Sequence, residues 1–308
     1  MRVIQGIRNL DSPLAGSILT IGNFDGVHLG HRELLTRVVT KARAVNLPSV
    51  VMTFEPHPVK VLHPDRKFPR IFDLDDQKER LTALGLDMLV VEPFSREFSQ
   101  VPAERFVSEW VYKSFSPREI VVGYDFSFGA NREGSIDFLR EKARDLGVAV
   151  EVVPPVKVND VLVSSTRVRQ AVEDGDVALA KALLGREFYL KGLVEKGAGR
   201  GRTIGIPTAN LRGTAELVPK RGVYAAWASV RGQRYKAVVN NGLNPTFTPG
   251  LQGLSVEAHL IGFDGDLYGE TLRLDFVTRL RDEVKFSSVE ELVARIRSDI
   301  AEGERLLR

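Results

Sequence analysis

The apolar residues of the chain follow two different rhythms. Up to about residue 153, short apolar runs alternate with stretches in which apolar residues recur every three or four positions, the period of an amphipathic helix. The predicted strands cover 18–21, 49–54, 88–91, 119–122 and 148–153, and the predicted helices cover 31–47, 75–84, 103–115 and 136–146. Strands that alternate with helices predict a doubly wound parallel sheet with helices on both faces.

Two short helices are predicted at 166–173 and 177–184. After Gly185 the pattern changes, and the predicted elements are β runs separated by glycines, at 189–194, 223–230, 235–239, 254–261 and 272–277. Such short runs, with turn signals between them, predict an antiparallel barrel or sandwich. The segment 287–291 resembles a capping box and predicts a terminal helix to about Arg305. We therefore expect two domains, 1–185 and 186–308.

Composition narrows the class of protein. The 308 residues are 43% hydrophobic and 27% charged, which is ordinary for two globular domains. The lack of cysteine excludes a disulfide framework and a cysteine nucleophile, and it fits a cytoplasmic protein. We see no signal peptide and no membrane-spanning run. The net charge is +3 with the basic residues scattered, so neither nucleic acid nor membrane is expected as a partner, and self-association stays open.

A glycine-rich loop joins the first predicted strand to the first predicted helix. It contains Gly22, Gly26 and Gly30, which allow close approach to a phosphate, and His28 and His31, which are spaced to point the same way from one helical turn. The imidazoles would stabilise charge that develops on phosphorus. A plain βα turn with two surface histidines is the alternative. The loop matches neither a dinucleotide fingerprint nor a Walker A motif.

A second element supports the phosphate interpretation. Ser164-Ser165-Thr166 opens a predicted helix, and Arg169 lies one turn further on. Hydroxyls, backbone N–H groups and a guanidinium suit a triphosphate, although Ser-Ser-Thr can also serve simply as an N-cap. Together, His-x-Gly-His and Ser-Ser-Thr-x-x-Arg resemble the nucleotidylyltransferase superfamily, whose members transfer a nucleotidyl group and release pyrophosphate.

Two aromatic loops extend the resemblance. Thr53-Phe54-Glu55-Pro56-His57-Pro58 and Gly123-Tyr124-Asp125-Phe126-Ser127-Phe128-Gly129 follow strands at the same predicted sheet edge, where they would either stack on a flat ring or cover the core. With the Gly-Asn-Phe-Asp-Gly-Val-His-x-Gly-His segment, they resemble the adenylyltransferase module of bacterial bifunctional riboflavin kinase/FAD synthetases. The resemblance implies an ATP site at Gly22, Asn23, Phe24, Asp25, Gly26, His28, His31, Ser165, Thr166 and Arg169, and a flavin site at Phe54, His57, Asp125, Phe126 and Phe128.

The second half carries its own signature. A Gly- and Arg-rich stretch runs from residue 192 to Gly-Ile-Pro-Thr-Ala-Asn at 205–210, which is similar to the riboflavin kinase signature; alone, it would be a basic surface loop. Thr208 and Asn210 offer neutral oxygens suited to Mg²⁺ with ATP phosphates completing its shell. The resemblance implies that ATP contacts Gly197, Gly199, Arg202, Pro207, Thr208 and Asn210, and that the fold is a Greek-key barrel.

Phosphorylation of riboflavin benefits from a carboxylate that accepts the proton of the attacking hydroxyl. Alternation places Glu257 on one face of a strand with Ser255 and His259, which a simple outward-facing polar position would also explain. The family carries its catalytic glutamate in this Val-Glu-Ala-His segment, so the resemblance favours Glu257 as the base. Attack by the ionised phosphate of FMN needs no such base.

The segment 280–286 borders the flavin in the family, which implies contacts from Arg281, Glu283 and Phe286. Other matches include 219–225 and Asn244-Pro245-Thr246-Phe247, whereas Asn240-Asn241-Gly242 departs from the more usual Asn-Ile-Gly. The predicted enzyme converts riboflavin to FMN in its C-terminal domain and FMN to FAD, with pyrophosphate release, in its N-terminal domain. The alternatives are a nucleotidylyltransferase for another substrate with a regulatory barrel, and a flavin- or RNA-binding protein.

Overall fold

The computed structural model describes residues 1–197, 201, 204–213, 215–243 and 254–308. The chain forms two compact units. Unit 1 comprises Met1–Phe68 and Asp73–Val163, and unit 2 comprises Pro69–Phe72 and Ser164–Arg308. None of the helices in the described ranges is both long and apolar enough to cross a membrane.

Unit 1 is built on a six-stranded parallel sheet. Its strands are β1 (Arg2–Gln5), β2 (Ser17–Ile21), β3 (Ser49–Glu55), β4 (Met88–Pro93), β5 (Pro117–Gly123) and β6 (Ala149–Val153), in the order β1-β4-β3-β2-β5-β6. A small antiparallel pair, β7 (Lys157–Val158) and β8 (Val161–Leu162), follows. The predicted strands are all present, and β1 is an addition that the sequence pattern did not indicate.

Helices cover both faces of this sheet. They are α1 (Leu29–Val45), α2 (Pro58–Leu62), α3 (Leu74–Ala83), α4 (Ala103–Arg105), a π-helical turn (Phe106–Tyr112), α5 (Lys113–Phe115) and α6 (Ile136–Asp145). Ile18 packs with α1 and α3 in one core, while its neighbour Leu19 packs with the 103–115 helical segment and α6 in a second core. Because successive strand residues point to opposite faces, two cores require helices on both sides. The doubly wound prediction is confirmed.

The strand order reverses at β2. It pairs with β3 on one side and with β5 on the other. In open parallel sheets, ligands bind at the carboxyl ends of strands beside such a switch point. The glycine-rich loop follows β2 and the loop beginning at Gly123 follows β5, so the fold places both predicted binding loops at this point.

Unit 2 contains a closed barrel of six antiparallel strands. Its elements are α7 (Ser165–Asp174), α8 (Val177–Leu184), β9 (Phe188–Glu195), β10 (Ala209–Gly213), β11 (Gly222–Val230), β12 (Gln233–Leu243), β13 (Leu254–Leu260), β14 (Thr271–Arg281) and α9 (Val289–Leu306). The barrel order is β10-β13-β12-β11-β14-β9. Strands β11, β12 and β13 are consecutive neighbours and β14 returns beside β11, which is the Greek-key arrangement. The barrel form is therefore confirmed, and β10 is the strand that the pattern missed.

The terminal helix begins as predicted. The Ser288 side chain accepts a hydrogen bond from the backbone N–H of Glu291, and the Glu291 carboxylate accepts one from the backbone N–H of Ser287 at 3.1 Å. These reciprocal bonds satisfy backbone donors that a helix start leaves without partners, worth about 1 kcal/mol for the N-cap.

Candidate active sites

The glycine-rich loop of unit 1 is wound so that its backbone turns sharply above the end of β2. Phe24, Gly26 and Val27 have φ values of 50°, 80° and 40°. The side chains of Phe24 and Val27 are buried in the core shared with α1. Left-handed backbone at a β-branched residue such as Val27 is strained and is typical of ligand-binding turns. The two apolar side chains hold the turn in place.

His28 and His31 form a stacked pair at the start of α1. His28 is the N-cap, and its Nδ1 accepts a hydrogen bond from the backbone N–H of His31 at 3.2 Å. The ring centroids are 3.6 Å apart with an interplanar angle of 15°. Since Nδ1 of His28 accepts, a neutral His28 carries its proton on Nε2, a donor for a phosphate oxygen.

The pKa of His31 lies well below 6.5, first because burial disfavours the imidazolium and second because His28 is close. His31 is therefore neutral at pH 7. Its neutral ring can lie face to face with the ring of His28, at a helix N-terminus that favours an anion.

Two side chains that the sequence did not single out as site residues hold the middle of the loop. The Thr53 hydroxyl and the Gln77 amide both donate to the backbone carbonyl of Asn23, at 3.3 and 3.0 Å. Gln77 lies in α3, only 3% exposed. Its long-range contact with Asn23 has no local sequence signal, because nothing in a helix sequence reveals which distant carbonyl it meets.

The predicted flavin loops place their aromatic rings against the core of unit 1. Phe126 and Phe128 are stacked, with centroids 5.3 Å apart, and Phe128 is 8% exposed. Phe54 makes edge contacts with Phe94 at 5.8 Å. At least part of each ring therefore covers the core, which was the alternative interpretation of these loops. Phe126 and Phe54 are half-buried.

The two polar members of that predicted set differ. His57 is the N-cap of α2, its Nδ1 accepts from the backbone N–H of Val59 at 3.2 Å, and its ring lies against Phe68. Asp125 is exposed just after β5, beside the crevice at the switch point. Asp125 is thus reachable from solvent, whereas His57 is buried and has a structural role as a cap.

Ser165, Thr166 and Arg169 lie in α7 of unit 2, whereas the histidine loop lies in unit 1. The cap of α7 is Ser164, whose hydroxyl oxygen accepts from the backbone N–H of Arg167 at 3.2 Å. Thr166 is exposed, and Arg169 donates from Nε to the backbone carbonyl of Pro69 at 2.8 Å.

Glu257 occupies the outer face of the barrel between two asparagines. It pairs with Asn210 across β10–β13 and with Asn240 across β12–β13. Directly opposite residues share one face of a sheet, and their neighbours Val256 and Ala258 point into the barrel, 1% and 0% exposed. Ser255 lies 3.4 Å from the Glu257 carboxylate. The predicted shared face of Ser255, Glu257 and His259 is present.

The stretch before β10 folds over this outer face. His259 Nδ1 contacts the backbone carbonyl of Pro207 at 2.8 Å. A side-chain carbon on Gly197 would lie 2.2 Å from the Asn210 amide nitrogen, and one on Gly201 would lie 3.1 Å from the Thr208 hydroxyl. Only glycine permits such approach. The predicted residues Gly199 and Arg202, and the motif 244–247, lie outside the described residues.

Glu283 approaches the same face. A side-chain carbon on Gly242 would lie 2.3 Å from a Glu283 carboxylate oxygen and 3.1 Å from the Asn240 amide nitrogen. Arg281 instead gives its guanidinium to Asp299 of α9, with contacts of 2.6 to 3.0 Å, and lies 5.9 Å from the Phe286 ring. Arg281 thereby fastens the terminal helix to the barrel.

Among the described residues, no group of three or more histidines and carboxylates could hold a metal ion by itself.

These two geometries belong to a two-module enzyme that transfers phosphorus-containing groups of ATP. The family model described as FAD synthetase matches residues 11–167, and the one described as riboflavin kinase matches residues 184–307. The chain therefore belongs to the bifunctional riboflavin kinase/FMN adenylyltransferase family. It phosphorylates riboflavin to FMN and adenylylates FMN to FAD.

Relatives described as bifunctional riboflavin kinase/FMN adenylyltransferases align over nearly the whole chain. The protein of Escherichia coli (strain K12) is 38% identical over 97% of this chain and 96% of its own length. The Bacillus subtilis (strain 168) protein is 35% identical over 94% and 92%. A solved structure titled as a macrolide-efflux protein from Streptococcus pneumoniae has a TM-score of 0.89 at 32% identity and covers 99% of both chains.

Proposed function

We propose that Glu257 is the general base of riboflavin phosphorylation. The observation that carries the proposal is its register: the carboxylate stands directly between Asn210 and Asn240 on the face that the 204–208 stretch covers. The primary hydroxyl of riboflavin attacks the γ-phosphorus of ATP, Glu257 takes its proton, and the bond to the bridging oxygen breaks to release ADP. Asn210 and Asn240 supply neutral amides on either side of the carboxylate.

Mg²⁺ fits the same face. Thr208 and Asn210 are the residues that would hold it, and the backbone of Gly201 and Gly197 packs closely against those two side chains. When bound, the ion neutralises charge on the phosphates of ATP. We propose that the backbone at Gly197 and Pro207, with Gly199 and Arg202 from outside the described residues, lines the ATP chain, and that Arg281, Glu283 and Phe286 border the flavin.

We propose that the loop of unit 1 stabilises the adenylyl transfer electrostatically. A phosphate oxygen of FMN, already ionised at pH 7, attacks the α-phosphorus of ATP, and the bond to the β-phosphate oxygen breaks to give FAD and pyrophosphate. His28 and His31 act as hydrogen-bond donors to the oxygens that gain charge. Gly22, Asn23, Phe24, Asp25 and Gly26 provide the loop backbone around the phosphates.

Ser165, Thr166 and Arg169 of α7 are proposed to bind the phosphates that leave as pyrophosphate. For the flavin, we propose the half-buried faces of Phe54 and Phe126, with Phe128 and His57 supporting them from the core and Asp125 at the solvent side. Their place after β3 and β5, at the carboxyl edge of the sheet, supports this assignment.

We propose that the catalytic domains are 1–185 and 186–308. One family match ends at residue 167 and the other begins at residue 184, which supports this division. By contacts, α7 and α8 belong to the compact unit that includes the barrel. We propose the cytoplasm as the location, because ATP is the co-substrate of both steps. Small molecules are the proposed partners. The molecular mass of the protein in solution measures whether copies of the chain associate.

Chromatography of flavins after incubation with ATP and Mg²⁺ tests these assignments. Glu257→Gln is expected to stop FMN formation from riboflavin while supplied FMN still becomes FAD, and His31→Ala is expected to do the reverse. Glu270→Gln, at an exposed ion pair with Arg231, and His63→Ala, at an exposed histidine, are the matched controls. Normal FMN formation by Glu257→Gln would remove Glu257 from the mechanism.

A further inference from the structure

A four-residue strap, Pro69–Phe72, belongs to unit 2 although the residues on either side of it in the sequence belong to unit 1. Its side chains are well covered: Arg70 is 9% exposed, Ile71 3% and Phe72 9%. Connecting segments normally run over the surface with their side chains in water. The contacts of the strap explain why it is buried.

Phe72 and Tyr189 form a pair of stacked rings, and each ring contacts one guanidinium group. Its ring lies on that of Tyr189 with centroids 4.6 Å apart and an interplanar angle of 20°. Arg186 lies 5.0 Å from the centroid of Phe72, and Arg273 lies 3.8 Å from the centroid of Tyr189. Stacked rings and cation–π contacts both stabilise this arrangement. The stack fixes Phe72 and with it the strap, Pro69–Phe72, of which it is the last residue.

The other end of the strap meets α7. The backbone carbonyl of Pro69 accepts a hydrogen bond from Nε of Arg169 at 2.8 Å, and the backbone N–H of Arg70 donates to the Glu216 carboxylate at 3.0 Å. A guanidinium is planar and rigid, so a hydrogen bond at Nε sets the plane in which its other two nitrogens lie. The strap therefore contributes to how the Arg169 head group is turned.

We propose that Phe72 is a positioning residue for adenylyl transfer, acting through the Pro69 carbonyl on Arg169. The inference rests on the proposed function, in which Arg169 binds the phosphates that leave as pyrophosphate. Charge accumulates on the leaving β-phosphate as its bond to the α-phosphorus breaks, and a guanidinium held in the right plane meets that charge. A group displaced by about 1 Å costs up to about 100-fold in rate.

The experiment is a double-mutant cycle in the full-length protein. Phe72→Ala, Arg169→Ala and the double variant are assayed for FAD formation from supplied FMN, with kcat and the KM for ATP measured separately, and for FMN formation from riboflavin as the readout of an intact barrel. Phe72→Tyr, which keeps the ring stack, is the conservative control.

The expected result is that Phe72→Ala lowers kcat/KM for ATP in adenylyl transfer about 10-fold or more, that Phe72→Tyr restores it, and that Phe72→Ala has no further effect once Arg169 is alanine. The inference would be overturned if the fold-losses in kcat/KM of the two single variants multiplied in the double variant, because the two residues would then act independently. Unchanged adenylyl transfer in Phe72→Ala would also overturn it. In both cases the proposed role of Arg169 would stand. If Arg169→Ala itself leaves the reaction unchanged, the proposed role of Arg169 fails first.

Phe72→Leu serves in the same cycle if the alanine variant does not fold, since leucine fills most of the volume without the ring stack. Glu216→Gln tests the strap at its second anchor, where a weaker acceptor for the Arg70 N–H is expected to give a smaller loss in the same direction. A loss in Phe72→Leu that persists in the Arg169→Ala background would count against the proposal.

Discussion

His28 accepts a hydrogen bond from the backbone of His31 and stacks on its ring, with 3.6 Å between the centroids. The cap thus fixes the ring of one histidine, and that ring helps to hold the other neutral. Burial and the nearness of His28 both disfavour the imidazolium form of His31.

The lowered pKa of His31 predicts a pH dependence of stability. Between the lowered pKa in the folded state and 6.5 in the unfolded chain, only the unfolded chain binds the proton, so the free energy of unfolding falls as pH drops below 6.5. His31→Gln is expected to remove this part of the slope. Urea unfolding at pH 5, 6, 7 and 8 measures it, and parallel curves for the two proteins would contradict the prediction.

Gly30 keeps space for the cap. An added side-chain carbon there would lie 3.3 Å from Cε1 and Nδ1 of His28, closer than ordinary packing. Gly30→Ala is expected to displace the imidazole and to lower adenylyl transfer about 10-fold, while alanine's helix propensity contributes up to about 1 kcal/mol in favour of α1. FMN formation serves as the control. An alanine variant with full FAD formation would show that the His28 ring tolerates the shift.

Gln77 and Thr53 hold one carbonyl of the glycine-rich loop between them. Gln77→Met keeps the volume and removes the donor to Asn23, and Thr53→Val does the same at the second position. We expect each to lower FAD formation several-fold and the stability of unit 1 by about 1 kcal/mol, since a buried acceptor loses one of its two partners. Kinetics of the double variant check that both act on the same carbonyl, because their losses are then not additive.

Asp299 and Arg281 form an ion pair that is nearly inaccessible to solvent, with side chains 3% and 12% exposed. Asp299→Asn leaves the guanidinium without its counter-charge and is expected to lower the free energy of unfolding by about 3–5 kcal/mol. Denaturant unfolding followed by tryptophan fluorescence measures it, and Asp282→Asn, at an exposed ion pair with Arg279, is the control. Equal effects of the two substitutions would mean that burial does not strengthen the first pair.

The sequence by itself determined the two-part architecture, because hydrophobic periodicity records which face each element buries. The run 18–21 and the helix after it follow directly from that pattern, as does the capping box at Ser288. The hydrophobic pattern missed β1 and β10, because these strands are short and of mixed polarity and their burial pattern carries little signal. The motifs identified the chemistry because glycines, histidines and a glutamate at these spacings are rare together.

Only the tertiary structure decided which side chains meet. Glu257 and Asn210 are far apart in the sequence, and antiparallel register alone puts them opposite each other. Arg281 turned out to hold α9, and Phe128 turned out to pack in the core. The strap at Phe72 has no local pattern at all. Long-range contacts such as these depend on strand register and helix packing, which are set by the whole chain, whereas the elements themselves are set by neighbours a few residues away.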